Sequence, residues 1–352
     1  MKRFVLGLLA VIAIIAIGLA GYGLWLGRDG DLVTPQGEGT VAIASGEYEA
    51  FPLPAYASEV LPEGTKSYFV EPEPGIKIHV LEVGTGYPVY LQHGNPTNAL
   101  LYRKVAGQLP LDTYRLIMPT MPGLGFSSKI PASEHTLDNH MRWMAGVLQE
   151  LAIEEVIYVG QDWGGPVGMG ALARTPGILK GAVVMNTGFA APTEERSLSD
   201  AHAMANRPII GELAIGGLSP LWPRLSAIQG DPDSMPEDVI ALYSQPVVQS
   251  GNEKAPLALM RMVPTGPDHP SAEQMREIEA YVETLDIPAA LVWGMRDPIL
   301  ASGLERMKAF FPNAPVTETE AGHFLQEEVP EEIAAAIVGV HGELTADSTD
   351  DE

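Results

Sequence analysis

The sequence predicts an α/β fold in which a mostly parallel, doubly wound sheet carries an inserted helical cap. Short apolar runs alternate with helix-like segments over residues 66–187 and again over residues 286–340, as they do when helices join parallel strands. The interval between them, residues 188–285, lacks strand-like runs and is too long for a loop. We therefore expect the two stretches to build one sheet and the interval to form a cap of short helices.

The first 27 residues predict a membrane segment. Lys2 and Arg3 precede an uncharged apolar run over residues 4–27, which suffices to span ~30 Å of hydrocarbon as a helix. The run also exceeds the roughly 7–15 residues of a signal-peptide core. We expect an uncleaved inner-membrane anchor with the basic pair in the cytoplasm and the catalytic domain outside it. The alternative is a signal cleaved after residues 18–20, which would leave a periplasmic or secreted protein.

Residues 28–65 are rich in glycine, proline and acidic side chains and predict a tether that leads into the domain. The remaining elements follow in order. Strands are predicted at residues 67–70, 76–83, 88–91, 115–118, 156–159, 181–186, 289–294 and 316–319. Helices are predicted after the capping residue Thr136 and at residues 164–174, 304–311 and 331–340. Residues 341–352 form an acidic tail that we expect to be solvated and disordered.

Composition excludes several classes of partner and chemistry. Forty-five acidic against 21 basic residues give a net charge of -24, which speaks against nucleic acid or an anionic membrane surface as a partner. The chain has no cysteine, so disulfides and thiolate catalysis are excluded. Contact with a membrane is therefore expected through the apolar N-terminal segment alone.

The segment Gly160-Gln161-Asp162-Trp163-Gly164-Gly165 follows the apolar run at residues 156–159. A strand that enters a helix through small residues, with a reactive side chain at the tip, is the nucleophile elbow of an α/β-hydrolase fold. Here the tip is an aspartate, and a carboxylate suits displacement of a leaving group from saturated carbon. The alternative is that Asp162 only caps the helix. The three glycines favour the elbow, because they permit close approach, and Asp162 is the predicted nucleophile.

An acid and a base follow in the order typical of this fold. Asp297 comes directly after the strand at residues 289–294, so it lies at a carboxyl end of the sheet, where open α/β folds bind ligands. His323 lies on the loop between the last strand and the last helix. Either residue alone could be a turn former or a solvated side chain. The order Asp162, Asp297, His323 is nucleophile, acid, base, which favours catalytic roles.

The loop His93-Gly94-Asn95 is expected to complete the site. In this fold, that loop and the residue after the nucleophile supply the backbone N–H groups of the oxyanion hole, here Asn95 and Trp163. Both residues also carry neutral side-chain N–H donors. Such donors suit a departing halide, since they stabilise negative charge without pairing with the nucleophile as Arg or Lys would. We expect a structural role for His93, and core packing is the alternative for Trp163.

Four segments match one family: HGNPT at 93–97, GQDWGG at 160–165, WGMRDPIL at 293–300 and AGHFLQEE at 321–328. On these motifs the chain resembles the haloalkane dehalogenases, from about residue 66 to residue 340 and most weakly through the cap. The resemblance implies a nucleophile at Asp162, a base at His323 and an acid at Asp297, with Trp163 and Asn95 as the halide pair. It also implies a small hydrophobic halogenated substrate and neither metal nor organic cofactor.

Alternatives concern the cap and the reaction. Trp222 could be a second halide-binding tryptophan, although it lies farther from Asp162 in sequence than that role needs. An epoxide hydrolase is similar and shares the Asp-His-Asp machinery, but it needs cap tyrosines, for which Tyr243 and Tyr281 are the candidates. A non-catalytic, membrane-tethered binding protein is the third possibility. The Asn95 and Trp163 pair favours dehalogenation, while substrate length, halogen preference and oligomeric state are left open.

Overall fold

A ten-stranded sheet forms the centre of the protein in a computed structural model that describes residues 2–217 and 221–350. The strands are β1 Thr40–Ile43, β2 Gly46–Ala50, β3 Lys66–Glu73, β4 Ile76–Gly84, β5 Tyr87–Gln92, β6 Tyr114–Pro119, β7 Val156–Gln161, β8 Leu179–Met185, β9 Ala289–Gly294 and β10 Val316–Thr319.

The α-helices surround this sheet or extend from it. They are α1 Lys2–Leu26, α2 Ala55–Ser58, α3 Arg103–Ala106, α4 Leu137–Glu150, α5 Gly164–Ala173, α6 Asp200–Ala205, α7 Ile210–Gly216, α8 Glu237–Val248, α9 Ala255–Arg261, α10 Ala272–Val282, α11 Leu304–Phe310, α12 Leu325–Glu328 and α13 Pro330–Asp350. The side chain of Thr136 accepts a hydrogen bond from the Asn139 N–H, so it caps α4 as its sequence predicts.

The strand order is β1-β2-β3-β4-β6-β5-β7-β8-β9-β10, and the mostly parallel sheet is confirmed. The six strands β6, β5, β7, β8, β9 and β10 pair in parallel with their neighbours. Strands β1 to β4 are antiparallel, and β4 joins them to β6. Every residue of β6, β7 and β9 is buried, because helices cover both faces of the parallel part. The carboxyl ends of β5, β7, β8, β9 and β10 therefore meet along one edge, which is where the predicted site residues lie.

The N-terminal region departs from its prediction in one respect. Residues 28–65 were expected to form a tether, but they contain α2 and the strands β1 and β2, which extend the sheet beside β3. Thr40–Ile43 is only four residues long, and Gly46–Ala50 contains glycine and glutamate, so neither segment carries the signal of a buried strand. Within the described residues, α1 is the one helix whose length and composition would allow it to cross a membrane.

Helices α6 to α10 and several short 3-10 turns lie between β8 and β9, in the interval where the sequence predicts the cap. The end of the chain differs from its prediction. Helix α13 continues through the first part of the acidic tail to Asp350, where disorder was expected. Residues 341–350 include glycine, threonine, serine and aspartate, which are weak helix formers, so helix propensity does not explain this extension. Met1, residues 218–220, Asp351 and Glu352 lie outside the described residues.

Candidate active site

Asp162 stands at the turn between β7 and α5 in a strained backbone conformation. Its φ is +52°, which is uncommon for any residue other than glycine, although Asp tolerates it better than most. Neighbouring groups hold the turn in place: the Asp162 N–H donates to the Asn186 carbonyl at 3.0 Å, and the Asp162 carbonyl accepts from the Thr187 hydroxyl at 2.7 Å. The side chain is 17% exposed and so is reachable from outside. This is the geometry of a nucleophile elbow.

Glycines allow the surrounding backbone to approach this turn. A Cβ atom on Gly94 would overlap the Asp162 carboxylate, and one on Gly165 would overlap the Thr187 side chain. The small residues that favoured the elbow in the sequence are therefore required by packing.

His323 lies between two carboxylates. Its Nδ1 atom is 3.0 Å from Oδ2 of Asp297, and its Nε2 atom is 3.7 Å from Oδ2 of Asp162. Burial opposes the charged imidazolium, but the Asp297 and Asp162 carboxylates more than offset it, so the pKa of His323 is raised above its ordinary value. The contact with Asp297 places the ring proton on Nδ1 and leaves Nε2 as a base facing Asp162.

Asp297 is held as an anion in a buried position. Burial alone would raise its pKa, but His323 and the hydrogen bonds from the Ile299 N–H and the Asn186 amide outweigh burial and lower it. The Ile299 N–H donates to Oδ1 at 2.7 Å, and Asn186 Nδ2 donates to Oδ2 at 2.9 Å. Asp297 is therefore prepared to orient His323 and to stabilise the charge it gains.

Asn186 is a positioning residue that the sequence did not single out. Its side-chain amide donates to the Gly294 carbonyl at 2.9 Å and accepts from the Gly294 N–H at 2.7 Å, besides its bond to Asp297. It thus joins the end of β8 to the end of β9. Asn186 could have been found from its position directly after a parallel strand, because the same kind of position identified Asp297.

The structure separates the two roles predicted for Asn95. Its backbone N–H donates to Oδ1 of Asp162 at 2.8 Å, as an oxyanion-hole donor would. Its side-chain Nδ2, however, donates to the Pro256 carbonyl of the cap at 3.1 Å, and Oδ1 is buried without a partner. Trp163 is 6% exposed, and within the described residues its indole N–H makes no hydrogen bond. The indole is therefore the free side-chain donor beside Asp162.

A pocket of about 370 Å³ opens above Asp162 and Trp163. Apolar side chains from α10, α11 and the loops after β8 and β9 line much of it, among them Phe189, Val263, Met275, Leu300 and Phe310. A larger cleft of about 1050 Å³ lies elsewhere, between the end of α1 and the cap, and contains none of the predicted catalytic residues. We take the smaller pocket as the substrate site because the nucleophile forms its floor.

The pocket also contains polar residues that the sequence did not predict. Arg196 and His202 of the cap and Arg306 of α11 line it, and Asp162 is its one acidic lining residue within the described chain. Burial lowers the pKa of His202, against the opposing effect of the Asp162 carboxylate. The short helices of the cap give these side chains no distinctive sequence pattern.

The predicted cap candidates do not line this pocket. The Tyr243 hydroxyl is buried outside the pocket. It donates a hydrogen bond to Glu327 and accepts one from Arg103 at 3.1 Å. Tyr281 is half-buried outside the pocket, and the indole of Trp222 lies near Glu253 at 3.5 Å.

His93 is buried, with its Nδ1 at 2.8 Å from the Gly94 carbonyl and its Nε2 accepting from the Met121 N–H at 2.9 Å. Burial lowers the pKa of His93 to about 4, so the ring is neutral and structural. Across residues 2–217 and 221–350, no three His, Cys, Asp or Glu side chains group so as to hold a metal ion.

Comparisons with known proteins identify the fold family and several similar enzymes. The sequence profile of the alpha/beta hydrolase fold matches residues 87–330. Haloalkane dehalogenase 2 of Mycobacterium tuberculosis is 29% identical over 265 residues, which cover 74% of this chain and 90% of that protein. A cis-3-alkyl-4-alkyloxetan-2-one decarboxylase of Shewanella oneidensis is 27% identical over 269 residues, 75% of this chain and 84% of that protein. The solved structure of a haloalkane dehalogenase from Agrobacterium tumefaciens is 26% identical, has a TM-score of 0.71, and aligns over 82% of this chain and 99% of its own.

Proposed function

The chain belongs to the alpha/beta hydrolase fold family as a haloalkane dehalogenase-like hydrolase, and from this premise we propose that it converts haloalkanes to alcohol and halide through an ester on Asp162. The observation that carries the proposal is the alignment of three side chains. His323 lies 3.0 Å from Asp297 on one side and 3.7 Å from Asp162 on the other. A nucleophile, a base and an orienting acid are thus in contact one after another, and the nucleophile lies at the floor of a largely apolar pocket.

In the first step, an oxygen of Asp162 attacks the halogen-bearing carbon in line. A carbon–oxygen bond forms as the carbon–halogen bond breaks, and the halide leaves with the bonding electron pair. The free indole N–H of Trp163 stabilises the halide. The second Nδ2 hydrogen of Asn95 would assist, while the first is held by Pro256.

In the second step, water hydrolyses the ester. His323 Nε2 takes a proton from water, the hydroxide attacks the carboxyl carbon of Asp162, and the imidazolium is stabilised by Asp297. The backbone N–H of Asn95 already contacts Oδ1 of Asp162 at 2.8 Å, so it supports the oxyanion together with the backbone N–H of Trp163. Collapse of the intermediate releases the alcohol, which takes up the proton, and restores the carboxylate.

A second candidate reaction follows from the cationic side chains in the pocket. A neutral haloalkane has no need of Arg196 or Arg306, whereas a carboxylate leaving group would pair with them. Opening of an oxetan-2-one ring by Asp162 would release such a carboxylate, and the Shewanella oneidensis relative is named for decarboxylating that ring. Epoxide hydrolysis has less support, because Tyr243 and Tyr281 do not line the pocket.

One comparative assay separates these reactions. The purified full chain is incubated with 1-bromobutane or 1,2-dibromoethane, with styrene oxide, and with a cis-3-alkyl-4-alkyloxetan-2-one. Halide release from the bromoalkanes supports dehalogenation. Diol formation or carbon dioxide release without halide release would replace it with epoxide hydrolysis or lactone decarboxylation, respectively.

We further propose that α1 is a membrane anchor and that the catalytic domain lies outside the cytoplasm. Side chains of α1 from Phe4 to Ile17 are exposed and apolar, and the most apolar 18 residues of this helix have a mean hydropathy of 2.8. Membranes washed with alkaline carbonate should retain the full chain, whereas a chain that begins at Arg28 should be soluble. A mature N-terminus at Gly21 would instead identify a cleaved signal and a soluble protein.

A further inference from the structure

The last turns of α1 pack against α7 of the cap through contacts that need glycine. Gly23 is buried, and a Cβ atom there would lie 2.6 Å from Cγ2 of Ile209, just before α7. Gly217 follows the other end of α7, and a Cβ atom there would lie 2.8 Å from Cδ1 of Leu26. Because close approach occurs at both ends of α7, this short helix lies along α1 instead of touching it at one point.

The contact at Gly23 involves a strained residue. Ile209 has a φ of +67°, which is a rare conformation for a β-branched residue, and its carbonyl accepts from the Leu213 N–H at 3.0 Å to begin α7. Such a conformation persists where surrounding contacts determine it. Its packing against Gly23 therefore joins the start of α7 to α1.

The chain that follows α1 is fixed to the domain. Lys254 donates to the Leu26 carbonyl at the C-terminal end of α1, where a cation is favoured by the helix dipole. The Asp29 carboxylate accepts from the Ser133 N–H at 2.7 Å. The backbone of Val33 then pairs with Lys129. Consequently α1 and the domain are joined without a flexible linker.

These contacts place the cap at a defined depth. Residues 4–20 of α1 would span roughly 26 Å as a helix, which is close to the ~30 Å of a hydrocarbon core. Tyr22 and Trp25 come next and stack with ring centroids 5.9 Å apart, and such residues prefer the membrane interface. The turns of α1 that carry α7 therefore lie at the level of the lipid headgroups.

The cap surface beside α1 suits this level. Met204 of α6 and Ile210 of α7 are 39% and 48% exposed. Residues 196–224 carry three arginines and two carboxylates, in a chain whose net charge is -24. Exposed apolar side chains on a locally neutral to basic surface are suited to the interface of a zwitterionic bilayer.

The substrate pocket adjoins the same surface. Ser199, which caps α6, and His202 within it line the pocket above Asp162. Helix α6 packs on α7, and α7 packs on α1. Since packed helix axes lie 8–10 Å apart, this wall of the pocket is roughly 20 Å from the axis of α1.

We propose that α1 locks the α6–α7 face of the cap onto the bilayer surface, so that the pocket receives lipophilic substrates dissolved in the membrane. This inference rests on the proposed function for its substrate chemistry and on the anchor for its orientation. It commits to a phosphatidylcholine-like bilayer as the partner and to long-chain alkyl compounds as the substrate class.

The orientation is tested by single-cysteine labelling, which the cysteine-free chain makes clean. The full chain carrying Ile210→Cys or Met204→Cys is labelled with an environment-sensitive fluorophore and reconstituted into phosphatidylcholine vesicles that contain nitroxide-labelled lipid. Both labels should be quenched, whereas a label at Val338→Cys, which is 47% exposed on α13, should not be. Equal quenching at Ile210 and Val338 would overturn the proposal, whatever reaction the enzyme catalyses.

The substrate class is tested by a matched pair of glycine variants. Gly23→Leu would collide with Ile209, while Gly21→Leu adds the same side chain where no atom lies within 4 Å. In vesicles, Gly23→Leu should lower kcat/KM for membrane-dissolved 1-bromohexadecane by about tenfold, through loss of the fixed orientation, and leave water-soluble 1-bromobutane unchanged. Gly21→Leu should change neither. Equal effects on both substrates, or no turnover of 1-bromohexadecane, would overturn the inference, whereas inactivity toward 1-bromobutane alone would count against the proposed function.

Discussion

The Nδ1 atom of His323 lies 3.0 Å from Oδ2 of Asp297, in a buried contact that fixes which ring nitrogen can act as a base. Asp297 is itself held by the Asn186 amide at 2.9 Å. The pKa of His323 therefore depends on the negative charge of Asp297, and the pH dependence of catalysis should depend on that charge too.

Ester hydrolysis should fail at acidic pH as His323 becomes protonated. In the ester, where Asp162 carries no charge, Asp297 is the carboxylate that raises the pKa of His323, so the neutral base is lost as pH falls through a value that Asp297 sets. Asp297→Asn removes this carboxylate, so the acid limb should move to lower pH while the hydrolysis rate falls. The measurement is the single-turnover rate of ester hydrolysis against pH, with the exposed Asp286→Asn as control. If the acid limb of the pH profile were the same in Asp297→Asn as in the unsubstituted chain, Asp297 would not set the pKa of the base.

Asn186→Ala should slow hydrolysis more than displacement. The substitution removes the hydrogen bonds that fix Asp297 and Gly294 but leaves the Asn186 carbonyl that receives the Asp162 N–H. We expect a loss of roughly tenfold to a hundredfold in hydrolysis, as is common when a partner that orients a catalytic ligand is removed. Rapid-quench measurement of halide release and alcohol formation separates the steps. Equal losses in both steps would mean that Asn186 only supports the fold.

Trp163→Phe should slow the first step more than Asn95→Ala does. The indole N–H of Trp163 is free, whereas the Asn95 amide is engaged by the Pro256 carbonyl, and Asn95→Ala keeps the backbone donor to Asp162. Loss of the indole donor should cost about 2–4 kcal/mol of barrier if it resembles loss of an oxyanion-hole donor. The halide burst reports this step directly. A larger effect for Asn95→Ala would make the Asn95 amide the main halide donor.

A buried ion pair between α3 and α12 should make a large difference to the free energy of unfolding when one partner is removed. Arg103 and Glu327 form a bidentate pair in which their side chains are 6% and 0% exposed, with the Tyr243 hydroxyl against the same carboxylate. Glu327→Gln leaves the Arg103 charge buried without its partner and should cost about 3–5 kcal/mol. Glu305→Gln breaks an exposed pair with Lys308 and should leave the free energy of unfolding nearly unchanged. The two variants are compared by urea unfolding of the full chain in detergent. Equal unfolding midpoints for Glu327→Gln and Glu305→Gln would contradict the expected difference.

Much of the fold could be predicted because buried parallel strands appear as short apolar runs, as in β7 and β9. Strands β1 and β2 could not, since β1 is a four-residue edge strand and β2, which pairs with β1 and β3, contains glycine and glutamate where apolar residues would mark a buried strand. The helical end of α13 was missed for a related reason: its residues are polar, so composition indicated solvent exposure without distinguishing helix from disorder.

The site shows the same division. Asp162, Asp297 and His323 stand at strand ends or elbows, where chain order carries information about geometry. The hydrogen bond from Asn95 to Pro256 joins residues far apart in sequence, so no local sequence pattern predicts it. Arg196 and His202 belong to short cap segments without a periodic apolar face, and only the folded cap brings them beside Asp162.

The most direct test of the ester mechanism is a single turnover with His323→Phe. His323 acts on the ester and not on the haloalkane, so the variant should still undergo displacement at Asp162 but fail to hydrolyse the product. Incubation with excess 1-bromobutane should release about one bromide per active site and leave a butyl adduct on the peptide that contains Asp162, as mass spectrometry would detect. Asp162→Ala should give neither bromide nor adduct. Steady bromide release by His323→Phe without an adduct would mean that water attacks carbon directly, and it would contradict the covalent mechanism.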